Sequence, residues 1–320
     1  MLRRSRSLAV AGIIIIALSG AALFAFPGWS QTTHQTAAAG LGKPISSSAM
    51  EALINQPGPI AVRTVASSDW KADLSGLINL KDPKAVQAGL TDHEEPIQIY
   101  AHLVRHPTQG FFMIDTGVSK QFAEDPKSVG VPWLLRSFAK MDKLQVGEDA
   151  LSAIRSEGIP LKGVLMTHLH FDHISGMPDV PKDVAFYTGP GEAAEEKFEN
   201  IVVQGMENRF FDDRPAIQEF QFTKDPDGKL EGVIDVFGDG SLFAILTPGH
   251  TAGHVSYLVR TPTGPVLFTG DACHTRWGWE HGVEPGSFTF DRDTERKSLL
   301  QLRALSERHP KMVVRLGHQS

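Results

Sequence analysis

Thr167-His168-Leu169-His170-Phe171-Asp172-His173 follows the apolar run Gly163-Val164-Leu165-Met166. Three imidazoles and one carboxylate therefore crowd positions 168–173, directly after what reads as a short buried strand. Buried without partners, these groups would cost many kcal/mol, so they must be bonded to something. Imidazoles with a few carboxylates suit zinc best, with iron, manganese or cobalt as alternatives. A tight loop after a strand lets His168 and His170 point to one side while Asp172 and His173 point to a second ion nearby. A solvated polar loop is the competing reading, and the density of donors argues against it.

Further short motifs stand downstream, each after a strand-like run. They are Thr247-Pro248-Gly249-His250-Thr251-Ala252-Gly253-His254, Phe268-Thr269-Gly270-Asp271 and Leu316-Gly317-His318. Each is weak alone; all of them in order are not. His168-Leu169-His170-Phe171-Asp172-His173 resembles the H-x-H-x-D-H signature of the metallo-β-lactamase superfamily, in the form found in N-acyl-homoserine lactonases. The resemblance spans about residues 95–320. It implies an αββα sandwich, which agrees with a pattern of strands flanked by helices. It also implies a ligand set: His168, His170 and His250 on a first metal, Asp172, His173 and His318 on a second, and Asp271 bridging both. His170 stands where flavodiiron relatives usually carry glutamate, which favours zinc hydrolysis over an iron redox site. Asp271 separates the chain from the true β-lactamase subclasses, which usually lack a bridging aspartate.

The chemistry implied is hydrolysis. Two Zn²⁺ ions contribute about +4, the two aspartates remove about 2 and a bridging hydroxide about 1, leaving about +1 to polarise a carbonyl. Zinc lowers the pKa of water from 15.7 to about 7, so hydroxide exists near neutral pH. Asp172 is the candidate catalytic carboxylate, able to orient the nucleophile and then to protonate the leaving group. An ester-like carbonyl is the expected target, a lactone first. Thioesters, as in glyoxalase II-like relatives, and phosphodiesters compete because the cage is shared. A β-lactamase or a di-iron redox protein stands further off, and Fe or Mn could replace zinc in the same cage.

Other residues near the motifs carry two readings each. His254 reads as a structural histidine rather than a ligand. Asp115, at the end of a strand, either orients a ligand histidine or caps a turn. Cys273 reads as a small buried hydrophobe, with a thiolate ligand as the alternative. His274 occupies the position, three residues after the bridging aspartate, where the lactonases carry a tyrosine that holds the substrate carbonyl. An imidazole N–H there is a candidate catalytic, substrate-contacting group. Trp277, Trp279, Phe210 and Phe211 either wall the site or fill the core. His34, His93, His102, His106, His281 and His309 have no motif around them and read as surface or core residues.

Outward from the motifs, residues 97–104 and 110–115 read as a hairpin, and residues 132–141 and 148–158 as helices. Strands are expected at 184–188, 233–237, 242–246, 255–259, 265–269 and 312–316, with helices at 191–203 and 294–309. From 50 to 92 the pattern is mixed. Residues 31–49 are small and polar and read as a flexible tether, so that one hydrolase domain spans 50–320. Before it, Arg3, Arg4 and Arg6 precede an apolar run from Leu8 to Phe26 and a Gly28-x-Ser30 site. Residues 1–30 thus read as a cleaved signal peptide or a membrane anchor, and the rest as exported, periplasmic or secreted. The formal charge of −6 argues against nucleic acid as a partner and leaves a small-molecule substrate. Cys273 is the single cysteine, so an intrachain disulfide is impossible, and stability rests on core size and bound metal.

Overall fold

Apolar strands buried on both faces alternate between two cores, and that alternation sets the architecture. A computed structural model of the chain describes residues 34–194 and 200–319. One sheet orders β1 (Thr36–Ala38), β9 (Ile217–Glu219), β8 (Ala185–Thr188), β7 (Leu161–Leu165), β5 (Gly110–Ile114), β4 (Glu94–His106), β3 (Ala61–Asp73) and β6 (Gln145–Val146). The other orders β14 (Val313–Arg315), β13 (Gly264–Phe268), β12 (Val255–Thr261), β11 (Leu242–Leu246), β10 (Val233–Asp235) and β2 (Lys43–Ile45).

In β5, Phe112 and Ile114 belong to the layer between the sheets, together with Leu165, Ala244, Tyr257 and Phe268. Phe111 and Met113 belong instead to an outer layer with Phe122, Leu135, Ala153 and Phe211, all carried by helical segments. β11 divides the same way. Leu242 and Ala244 face the middle, while Phe243 and Ile245 pack outward with Met50, Ile54, Leu302 and Leu305 of the helices Ser47–Ile54 and Arg292–Arg308. Helix, sheet, sheet, helix is the αββα sandwich expected from the sequence.

The tether expectation is corrected. Within 31–49, β1 pairs in parallel with β9, and β2 pairs antiparallel with β10, so this stretch adds an edge strand to each sheet. Its strands are held by backbone hydrogen bonds to existing sheet edges, which need no apolar side chains, so composition does not reveal them. The mixed stretch after residue 50 hides the long strand β3. Its register shifts between Ala66 and Ser68, and Ser67 and Ser68 are both buried, which breaks the alternation that marks a strand. Of the helix expected at 191–203, the described residues form a single turn, Glu192–Ala194, and the start of the helix Asn200–Phe211. The reading of 1–30 as a signal or anchor lies outside the described residues. Among the described residues, no helix is long and apolar enough to cross a membrane.

The helix Ser47–Ile54 is anchored by Glu51, whose carboxylate accepts bonds from Arg308 at 2.9 and 3.0 Å, Lys229 at 3.2 Å and His309 at 3.2 Å. Burial opposes its ionisation, but these partners outweigh burial and lower its pKa from 4.5 to about 2. A depressed carboxylate stabilises the fold above its unfolded pKa, and that contribution is lost as pH falls through the folded value. Glu51→Gln is therefore expected to cost about 1–2 kcal/mol at neutral pH. In thermal unfolding, its Tm deficit should shrink as pH falls from 4.5 towards 2.

Candidate metal centre

Four strand ends on one edge of the sandwich supply the motif residues. β7 ends at Leu165, and the chain leaves the sheet before a single helical turn, Phe171–Ile174, closes the loop. His170 heads this turn in extended conformation, so His168 and His170 precede it while Asp172 and His173 lie within it. His250 follows β11, Asp271 sits in the tight turn Gly270–Ala272 after β13, and His318 follows β14.

All seven expected donors converge. One ligand atom from each of His168, His170 and His250 lies within 4.8 Å of the other two, as do those of Asp172, His173, Asp271 and His318. Asp271 is at the centre. Its Oδ1 is 3.3 Å from His173 Nε2, and its Oδ2 is 3.3 Å from His318, 3.4 Å from His250 and 3.8 Å from His168. Asp172 Oδ2 is 3.4 Å from His318 Nε2 and 3.7 Å from His173 Nε2.

Three polar atoms in this cluster, His168 Nε2, His173 Nε2 and Asp271 Oδ1, are buried without a hydrogen-bond partner. Three such orphans at one point would each cost free energy in a folded protein, and native interiors rarely tolerate them. A mixed imidazole and carboxylate donor set that is incomplete only towards its own centre fits divalent metal ions. Burial, reinforced by neighbouring imidazoles, pushes His168 and His250 well below the usual histidine range. Burial also acts on His173, but Asp271, Asp115 and Asp172 outweigh it and raise its pKa well above that range. Burial opposes ionisation of Asp271, yet His318, His173 and His274 hold its carboxyl well below the carboxylate range.

A shell of buried side chains fixes these donors. Asp115 takes the orienting role, since its carboxylate bonds residues of the 167–173 loop. From a left-handed backbone (φ 54°) it accepts bonds from Thr167 N and Oγ1 and from His173 Nδ1, each at 2.8 Å. That last bond puts the proton on Nδ1 and aims His173 Nε2 at the cluster. His254 Nε2 accepts from the Asp271 backbone N–H at 3.0 Å while its Nδ1 pairs with Thr247 Oγ1 at 2.8 Å. It props Asp271 from behind. A Cβ at Gly317 would lie 2.2 Å from Asp271 Oδ1, so the glycine of the closing Gly-His pair is a requirement of space.

The sequence reading missed Glu192. Its buried carboxylate accepts from Leu169 N at 2.9 Å, Thr251 Oγ1 at 2.7 Å and Gly253 N at 3.1 Å, and so ties the 168–173 loop to the 250–254 loop. Burial keeps Cys273 a neutral thiol, bonded to Thr275 O, rather than a thiolate donor. Of the two readings of the aromatics, core filling holds. Phe210, Phe211 and Trp279 pack in cores, and Trp277 stacks on His281 at 4.2 Å. Phe288 and Phe290 are the exposed aromatics beside the site, flanking Thr289, whose Oγ1 is 3.4 Å from His250 Nδ1. His274 differs from expectation: its ring is buried, with Nδ1 3.2 Å from Leu77 O and Nε2 3.0 Å from Asp271 Oδ2. Neither nitrogen is turned towards solvent.

Comparison with known proteins gives a consistent picture. Residues 95–318 match the Metallo-beta-lactamase superfamily. The chain is 33% identical over 243 residues to the N-acyl homoserine lactonase AttM of Agrobacterium fabrum, covering 73% of this chain and 86% of that protein. A solved quorum-quenching N-acyl homoserine lactone lactonase shares the fold with a TM-score of 0.56 at 18% identity, over 83% of this chain and 94% of that one. AidC, a dizinc quorum-quenching lactonase, shares it with a TM-score of 0.55 at 14% identity, over 87% and 90%.

The Asp115 contacts generate a test. Asp115→Ala frees the His173 Nδ1 proton and should lower divalent metal affinity by about 10- to 100-fold. Chelator competition on the purified variant measures this, and unchanged affinity would show that His173 is held without Asp115.

Proposed function

The chain belongs to the metallo-β-lactamase superfamily, and from that premise we propose that it opens lactone rings at a dinuclear zinc centre, with N-acyl homoserine lactones as the substrate class. Asp271 carries this reading, because its two oxygens face different imidazoles of one buried cluster. His168, His170 and His250 would hold one ion, Asp172, His173 and His318 the other, and Asp271 would join them. Zinc bound there lowers the pKa of water from 15.7 to about 7 and polarises a carbonyl.

The residues themselves set the electrostatics. Only Asp172 and Asp271 are anionic among the seven donors, so two divalent cations stay under-neutralised by about two charges. Such a site favours a substrate group that gains negative charge, as a carbonyl oxygen does on attack. Asp172 is the less buried of the two, with 16% side-chain exposure against 4% for Asp271. It is the carboxylate with room to take a proton and return it to the leaving alkoxide. A cavity of about 450 Å³ opens beside His318, lined by Asp69, Lys71, Gln98 and Lys143 as well as by Trp70 and Tyr100. The lactonase name of the 33% identical relative supports the choice of ring.

The test is a panel of N-acyl homoserine lactones, thioesters, phosphodiesters and β-lactams on the zinc-loaded enzyme. kcat/KM for a lactone should exceed every other class by at least about tenfold, or about 1.4 kcal/mol in the transition state. A faster thioester or phosphodiester would contradict the assignment.

A further inference from the structure

We propose that His274 is itself a metal ligand, an eighth donor that faces the centre through Nε2. The inference rests on the metal-centre reading above but not on the lactone.

The ring's two neighbours decide its state. Nδ1 lies 3.2 Å from Leu77 O, a carbonyl that can only accept, so the proton belongs on Nδ1. Nε2 then carries a lone pair, and it lies 3.0 Å from Asp271 Oδ2, another acceptor. Two acceptors that close repel unless a second ring proton lies between them or a metal ion sits beside both. The ring is buried, so water does not resolve the conflict.

His318, a ligand by motif, shows the same arrangement. Its Nδ1 is 3.0 Å from Gln98 O and its Nε2 is 3.3 Å from the same Asp271 oxygen. The two residues are also neighbours in the backbone, where His318 N donates to His274 O at 3.2 Å. A backbone carbonyl on the far nitrogen is how proteins commonly orient a metal-binding imidazole. His254 supplies the contrast. Its Nε2 faces a donor, the Asp271 N–H at 3.0 Å, so a neutral ring is complete there and needs no ion. A ring nitrogen of His274 lies within 4.8 Å of ligand atoms of His250 and Asp271, and the three residues form a third group able to hold an ion. A substrate-contacting role would need a nitrogen free to turn, and both are engaged.

The rival state is a proton shared with Asp271, with the imidazole as an ion-pair partner only. Cadmium-substituted wild-type enzyme separates the two without mutation. One-bond coupling between ¹¹³Cd and the assigned ¹⁵Nε2 of His274 is expected, and its absence would overturn the proposal. Variants give a second reading. In His274→Ala, affinity for one of the two ions should fall at least about tenfold, the cobalt-substituted visible spectrum should change, and added imidazole should reverse both. His274→Gln keeps a hydrogen-bond donor for Asp271 but is a poor ligand, so it should not rescue. Rescue by Gln, or an unchanged cobalt spectrum in His274→Ala, would show that the ring supplies only a hydrogen bond. His318→Ala is the control. If that variant also keeps full metal content, the metal-centre reading fails, whereas intact metal binding without lactone turnover faults only the substrate.

Discussion

A carboxylate shut away from water has to be matched by positive charge at the same point, and Asp271 is such a carboxylate. It is 3% exposed and faces nitrogens of His168, His173, His250, His274 and His318. Neutral imidazoles cannot supply that charge, and His173 and His318, raised towards the protonated form, supply it only by giving up their lone pairs. Two metal ions can, and in doing so they would also satisfy His168 Nε2 and His173 Nε2, which have no other partner. The folding of four separated segments to one point is thus coupled to what the point binds.

The sandwich makes this convergence possible. Strands β7, β11 and β13 are packed on both faces, β14 closes the edge of its sheet beside β13, and the four chain segments leave the sandwich towards the same cluster. The loops beyond them are held by buried polar groups rather than by apolar contact. Asp115 fixes the first loop, Glu192 ties it to the second, and His254 and Gly317 fit closely around Asp271. Each of these bonds costs little because both partners are satisfied, whereas losing one partner leaves a buried group exposed to that loss.

The donors themselves were legible in the sequence because the motifs are local: a strand, a tight loop and ligands within a few residues. The sandwich was legible for a similar reason, since β5 and β11 are apolar throughout. What escaped the reading depends on distant partners. Glu192 looks like one acid among several in a charged stretch, and only the approach of residues 251–253 gives it a function. The strand β3 is disguised by its bulge, and β1 and β2 by side chains that contribute nothing to their pairing. His274 was recognised as a departure from the lactonase tyrosine, but its orientation depends on the Leu77 carbonyl, which carries no sequence signal.

Diffraction from zinc-loaded crystals, collected on either side of the zinc absorption edge, tests the dinuclear centre most directly. Two anomalous peaks are expected, one near His168, His170 and His250 and the other near Asp172, His173 and His318, with the Asp271 carboxylate between them. A single peak at full occupancy, or peaks away from Asp271, would contradict it.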